Sequence, residues 1–198
     1  MWILPVNLAT AQRMADALVA EITPFVEKCA IAGSIRRKKP DGIKDIELLA
    51  IAKWQPVKAG LFAEDVSKEN LLYKWAMSQG TIRWIKTGTS EIIPWDIKED
   101  GKYWRGIFPN DTKLDLFLTK PESWSIQMLI RTGPADWSNQ FVTSKRVKTH
   151  SGRYGTLPIG MRVAGGRLWK GDTALDTPDE ETVFKLVGRE YLPPEKRV

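Results

Sequence analysis

The sequence predicts an α+β fold, in which stretches of helical periodicity stand apart from short apolar runs of strand type. Three observations carry this expectation. "TAQRMADALVAEITPFVEK" repeats Met14, Leu18, Ile22 and Phe25 at near-helical spacing. "KDIELLAIA" and "KLDLFL" are apolar runs of strand length, bounded by turn residues. "MRVAGGRLWKG" has the pattern of a hairpin turning at Gly165-Gly166.

In chain order, Thr10 suits the N-cap of the first helix, and Pro24 disturbs its end. "CAIAG" follows as a buried strand closed by a Gly33-Ser34 turn, and "KDIELLAIA" is a second strand after the Pro40-Asp41-Gly42 turn. "EDVSKENLLYKWAMSQG" reads as a helix stopping at Gly80. From Thr81 to Leu118 the character is β, with strands expected in "TIRWIKT", "EIIPWDI", "KYWRGIF" and "KLDLFL". "ESWSIQMLIRTG" and "ADWSNQFVTSKRVKTH" are expected helices separated by Gly133-Pro134. The last helix, "TPDEETVFKLVG", has Thr177 as cap, Pro178 at its first position, acids in its first turn and Gly188 at its end. There is no internal repeat, and a shift in charge near Pro121 suggests a division into 1–120 and 121–198.

With 198 residues, 42% of them hydrophobic and 27% charged, the chain has the composition of a folded globular protein. No apolar run reaches the roughly 18 residues of a membrane span, and no signal-peptide layout is present, so an intracellular protein without membrane contact is expected. Cys29 is the single cysteine, which excludes an internal disulfide and a cysteine-based zinc site. The net charge of +6 is uneven: Arg131 to Lys170 holds eight Lys or Arg and one acid, Asp136, which leaves about −1 on the rest. Such a block is the electrostatic footprint of a phosphate-backbone binder, although a merely basic surface would look the same. Most of the nine tryptophans are expected in the core.

Two acids depart from the apolar pattern. Side chains alternate along a strand, so Asp45 and Glu47 project from one face while Ile46 and Leu48 point the other way. A close carboxylate pair suits Mg2+, which takes a few carboxylate oxygens and leaves room for substrate phosphates. Two solvated acids on a half-exposed strand are the plain alternative. Asp115, in "TKLDLFL", is equally out of keeping, a strand-end acid paired with Lys113 being the plain alternative. If the two strands are neighbours, three carboxylates can converge on two metal ions, the arrangement used for phosphoryl or nucleotidyl transfer. Ahead of them, Gly33 allows close backbone approach to a phosphate, and Ser34 and Arg37 can bind its oxygens.

Together, "AGSIRRKKPDGIKDIELLAIA", "KLDLFL", "RTGPADW" and "TPDEETVFKLVGREYLPPEKR" resemble the DNA polymerase β-type family X nucleotidyltransferases, with a layout like that of the small viral members. The resemblance runs from about Leu8 to Arg197 and is weaker between Trp54 and Lys98. It implies a nucleotidyltransferase palm with a mixed sheet flanked by helices, then a smaller helical and hairpin carboxy-terminal subdomain touching nucleotide and DNA. Asp45, Glu47 and Asp115 would be catalytic metal ligands for two Mg2+, with Mn2+ able to substitute. Gly33, Ser34 and Arg37 would hold the triphosphate, Thr132 and Gly133 would lie beside the sugar, and Ser138 or Asn139 would meet the base edge. DNA would be held by Lys145, Arg146, Lys148 and Arg153. The resemblance also implies a cis peptide at Gly133-Pro134.

The chain departs from the family pattern at four places. Glu47 stands where Asp is usual, Lys44 where Gly is common, Ile130-Arg131 where an aromatic pair is common, and Ser138 where Asn is common. With the first helix expected near residue 10, no lyase step is expected. The leading expectation is therefore a monomeric minimal DNA polymerase acting on gapped or primer-template DNA and deoxynucleoside triphosphates, filling short gaps in repair. It would act in the cytoplasm, nucleoid or nucleus, a viral source being one option. A template-independent or small-molecule nucleotidyltransferase and a non-catalytic DNA-binding module are the alternatives. His150 is expected to contact phosphate or solvent, Cys29 to lie in the core, and Lys102 and Arg105 to approach the substrate or line a strand edge.

Overall fold

The computed structural model describes residues 5–58, 66–86 and 97–197. Its elements are α1 (Leu8–Ile22), β1 (Val26–Ile31), α2 (Gly33–Arg36), β2 (Asp45–Ala52), β3 (Trp54–Lys58), β4 (Val66–Asn70), α3 (Leu71–Ser78), β5 (Arg83–Ile85), β6 (Tyr103–Ile107), β7 (Lys113–Leu118), α4 (Trp124–Thr132), α5 (Ala135–Val142), β8 (Met161–Ala164), β9 (Arg167–Lys170), β10 (Thr173–Ala174) and α6 (Glu180–Leu186). The fold is mixed α+β. The chain forms two compact units, Met1–Ile31 with Gly42–Leu118, and Ala32–Asp41 with Thr119–Val198. The segment carrying Gly33, Ser34 and Arg37 therefore belongs to the second unit. Among the described residues, no helix is long and apolar enough to cross a membrane.

The first unit is built on a five-stranded sheet in the order β1-β2-β7-β6-β5. Only β2 and β7 run parallel; the other neighbours are antiparallel. β2 is buried along Leu48–Ala52 and only half-buried at Asp45 and Glu47, so its apolar end lies in the core and its acidic end reaches solvent. β7 has the sequence and length expected of "KLDLFL". Helix α1 buries Ala11, Ala15, Leu18 and Ile22, a stripe of near-helical period, and contacts β1 and β2. Trp75, Trp84 and Trp104 pack edge to face at 6.4 and 6.1 Å between successive ring centroids, so these tryptophans do serve the core.

Helix starts differ from expectation for a common reason. The cap of α1 is Asn7, whose side chain accepts the Thr10 amide at 2.9 Å, so Thr10 lies inside the first turn. Likewise α6 is capped by Asp179, which accepts the Thr182 amide at 2.7 Å, with Thr177 and Pro178 ahead of the cap. Asn and Asp are at least as good caps as Thr, and the better-placed acceptor wins in each case. The helix expected from Glu64 is shorter: Val66–Asn70 pairs as a strand with Trp54–Lys58, and Asn70 caps α3 by accepting the Tyr73 amide at 3.1 Å. The strand expected at 91–97 falls almost wholly outside the described residues.

The second unit packs Ile126, Leu129, Phe141, Leu157, Leu168, Val183, Phe184 and Val187 into one core. The hairpin β8/β9 turns at Gly165-Gly166, as expected, both with positive φ (+59° and +75°), the requirement of a tight two-residue turn. The expected helix over 135–150 stops at Val142: the Thr143 hydroxyl bonds back to the Asn139 carbonyl at 2.6 Å, and the chain leaves the helix. All described peptide bonds are trans, Gly133-Pro134 included, so the expected cis bond is not present. Trans is also the lower-energy isomer, by about 0.5–1 kcal/mol for an X-Pro bond.

Candidate functional site

In the first unit, the parallel register of β2 and β7 sets Glu47 directly beside Asp115 and Asp45 beside Lys113. Paired residues of adjacent strands share a face, so Asp45, Glu47 and Asp115 all project from one side of the sheet. Asp45 and Glu47 are half-buried, and Asp115 is 5% exposed. The next strand, β6, sets Arg105 opposite Asp115 on the same face.

Arg105 defines the state of Asp115. Its Nε donates to Asp115 Oδ1 at 2.7 Å and one Nη to Oδ2 at 3.0 Å, a two-pronged ion pair. The Tyr103 hydroxyl donates to the same Oδ1 at 2.6 Å, the Arg105 guanidinium lies 5.5 Å from the Tyr103 ring centroid, and that ring stacks on Phe117. Burial, reinforced by Asp115, pushes the Tyr103 phenol well above its usual range, so it acts as a donor at neutral pH. Of the two expectations for Arg105, an approach to substrate or a strand edge, the second is corrected: β6 lies inside the sheet, and Arg105 pairs with Asp115. Neither Arg105 nor Tyr103 was singled out as a partner in the sequence. The available signal was their spacing of two on an apolar strand, which puts both on one face.

The donor type suits a hard divalent cation, since all three groups are carboxylates and two are adjacent across the ladder. Among the described residues, however, no three Asp, Glu, His or Cys side chains gather closely enough to hold one ion. Asp115 directs both of its oxygens to Arg105. Burial pushes the Cys29 thiol up to about 12.

The second unit assembles the residues of the expected triphosphate and sugar contacts. Gly33 has φ +59°, a left-handed conformation suited to glycine, and opens the one-turn helix α2 where a simple turn was expected. Arg37 donates to the Ser34 hydroxyl at 3.2 Å and to the Thr132 carbonyl. Thr132 is fully buried at the end of α4, and its hydroxyl accepts Arg36 Nη1 at 2.7 Å. Gly133 has no room for a side chain: a Cβ there would sit 2.4 Å from the Trp137 ring and 2.5 Å from the Ser138 hydroxyl. Ser138 is buried and donates to the Ile130 carbonyl at 2.8 Å, while half-buried Asn139 accepts Thr143 through its carbonyl. The structure therefore brings Ser34, Arg37 and Thr132 together, with Gly133 and Ser138 in contact range of each other.

Beneath this group lies an ion network that the sequence reading did not assign. Glu180, 8% exposed, receives Arg36 at 3.1 and 2.5 Å and the fully buried Arg197 at 2.8 Å. Arg197 in turn lies 5.4 to 5.9 Å from the ring centroids of Trp137, Phe184 and Tyr191. Burial alone would raise the Glu180 carboxyl, but the two guanidiniums outweigh it and hold its pKa below the usual value. Glu180 read in the sequence as one of several first-turn acids; its partners are 144 and 17 residues away, so no local pattern marked it.

Of the residues expected to hold DNA, Lys145, Arg146, Lys148 and Arg153 are all exposed, as is His150. Neither a protein-family model nor a curated protein sequence matches this chain.

Proposed function

We propose that the protein is a minimal DNA polymerase of the β-type family X kind, adding deoxynucleotides to a primer 3′-hydroxyl during short-gap repair. In this reading the sheet of the first unit is a nucleotidyltransferase palm. The observation that carries it is the parallel β2/β7 register, which sets Glu47 beside Asp115 and leaves Asp45 on the same face. Carboxylates set side by side on one face are the donor type that a hard divalent cation takes.

Asp45, Glu47 and Asp115 would hold two Mg2+. Such ions, when bound, lower the pKa of an attacking hydroxyl and neutralise the triphosphate and departing pyrophosphate. Asp115 would orient that hydroxyl, and would first have to share an oxygen now held by Arg105. Ser34 and Arg37 would bind triphosphate oxygens, the two already in mutual hydrogen-bond contact. Lys145, Arg146, Lys148 and Arg153 would neutralise DNA phosphates.

A second reading, a DNA-binding module without catalysis, draws support from the same ion pair, because Arg105 supplies a positive charge to Asp115 in place of a metal. Primer extension with Mg2+ on gapped, single-stranded and blunt DNA separates the readings. Incorporation restricted to gapped or primed template supports the polymerase. Untemplated addition to single strands points to a terminal transferase. DNA binding without incorporation on any substrate leaves the binding module.

A further inference from the structure

Between Asp136 and Asp172 the chain contains no acid, and within this stretch residues 143–157 form a compact irregular loop, paired antiparallel as a hairpin at Lys148 and Tyr154 and bridged in parallel at Ser144 and Leu157. Its arms are tied by the Leu157 amide to the Thr143 carbonyl (2.9 Å), Lys145 to Leu157 (3.0 Å) and Gly155 to Val147 (2.9 Å). Its tip is closed by Thr149, whose amide and hydroxyl both bond the Arg153 carbonyl, at 2.7 and 3.0 Å. The arms are too close at Gly155 for any side chain: a Cβ would lie 2.0 Å from the Thr143 carbonyl oxygen. Thr149 and Leu157 are buried anchors, whereas 145–148 and 150–154 are all exposed.

Tyr154 stands out on this hairpin. It is 58% exposed, so it adds little to the core, and it pairs across the hairpin with Lys148, whose ammonium lies 5.4 Å from the ring centroid. An aromatic ring held on a braced backbone, beside cations in an acid-free stretch of the sequence, offers a stacking face together with phosphate partners. A nucleic acid meets both needs, whereas an apolar protein partner would leave Lys145, Arg146, Lys148 and Arg153 uncompensated.

We propose that Tyr154 is a stacking platform for an unpaired base of single-stranded DNA, with Lys148 and Arg153 neutralising the flanking phosphates. Duplex bases are already stacked on one another, so the ring would act on the exposed bases of a gap or a single-stranded end. The proposal rests on the DNA-binding part of the polymerase reading and gives it a strand preference.

The test measures binding of the full chain, without Mg2+ or nucleotide, to a fluorescent single-stranded oligothymidylate, to the same backbone made abasic, and to blunt duplex. Tyr154→Ala should weaken binding to the base-bearing strand by about five- to a hundredfold. It should leave the abasic strand, the duplex and the salt slope nearly unchanged. Tyr154→Phe, which keeps the ring, should bind like the wild type. Unchanged affinity of Tyr154→Ala for the base-bearing strand, or an equal loss on the abasic strand, would overturn the platform while sparing the polymerase reading. A wild-type protein that binds none of the three DNAs would remove both.

Discussion

Asp115 has a structural role in the fold and, in the proposed function, a catalytic one as well. An acid on an apolar strand offers the sequence no structural partner beyond Lys113, yet the fold supplies Arg105 from the neighbouring strand and Tyr103 beside it. Asp115→Asn should therefore abolish nucleotide incorporation and also destabilise the protein by about 1.5–3 kcal/mol, the usual worth of hydrogen bonds to a charged group. Urea denaturation would measure the second effect. Near-normal extension by the purified variant would end the metal-ligand assignment. Arg37 donates to the Ser34 hydroxyl and to the Thr132 carbonyl, within the expected triphosphate contacts. Arg37→Ala should raise the nucleotide KM more than it weakens DNA binding. Intact nucleotide affinity with lost DNA binding would reassign this arginine to the DNA backbone.

At the scale of elements, Glu180 of α6 takes Arg36 of α2 from one side and Arg197 from another, and Arg36 also reaches Thr132 of α4. Glu180→Gln leaves the fully buried Arg197 guanidinium and the partly buried Arg36 guanidinium short of charge and should cost about 3–5 kcal/mol. The folded pKa of Glu180 is depressed, so its stabilisation is full above the unfolded carboxylate value of about 4.3 and fades as pH falls through the lower folded value. Urea midpoints followed from pH 7 to pH 3 should fall more steeply for the wild type than for Glu180→Gln; parallel curves would exclude this linkage. None of the network was legible in the sequence, because a pair 144 residues apart leaves no periodic trace. What was legible was local. The strand Lys113–Leu118, the β8/β9 hairpin and the close of α6 at Gly188 follow from apolar runs and from glycines that adopt positive φ. Where the reading failed, two local signals competed: Asn7 and Asp179 outbid nearby threonines as caps. Residues 143–150 look helical in composition but lack an apolar stripe, and their backbone bonds to 153–157 instead. The site was legible in part: three acids were visible as departures from pattern, whereas their pairing depended on a β2/β7 register that only the fold sets.

For the molecule as a whole, the distribution of charge decides where the proposed DNA partner would be held. The chain carries +6, and the eight cations between Arg131 and Lys170 account for more than all of it. The other dense basic run, Arg36 to Lys39, is a poorer candidate than its composition suggests. Arg36 is spent on Glu180 and Thr132, Arg37 bonds Thr132 and Ser34, and Lys38 pairs with Glu195 at 2.9 Å. Lys145, Arg146 and Lys148 instead stand exposed on a braced hairpin in an acid-free stretch. Each cation that meets a phosphate releases about 0.9 of a counterion, so three such contacts make the log-log salt slope steeper by about 3. Reversing Lys145, Arg146 and Lys148 together to Glu should therefore weaken binding to gapped DNA of any sequence and flatten the slope by about that amount. The loss should be largest at low salt, where the counterion term is greatest, and should shrink as salt screens the new acids. Anisotropy titrations of wild type and triple variant across a salt series provide the measurement. An unchanged affinity at low salt would mean that these three cations face solvent and that the phosphate backbone is carried by another part of the chain.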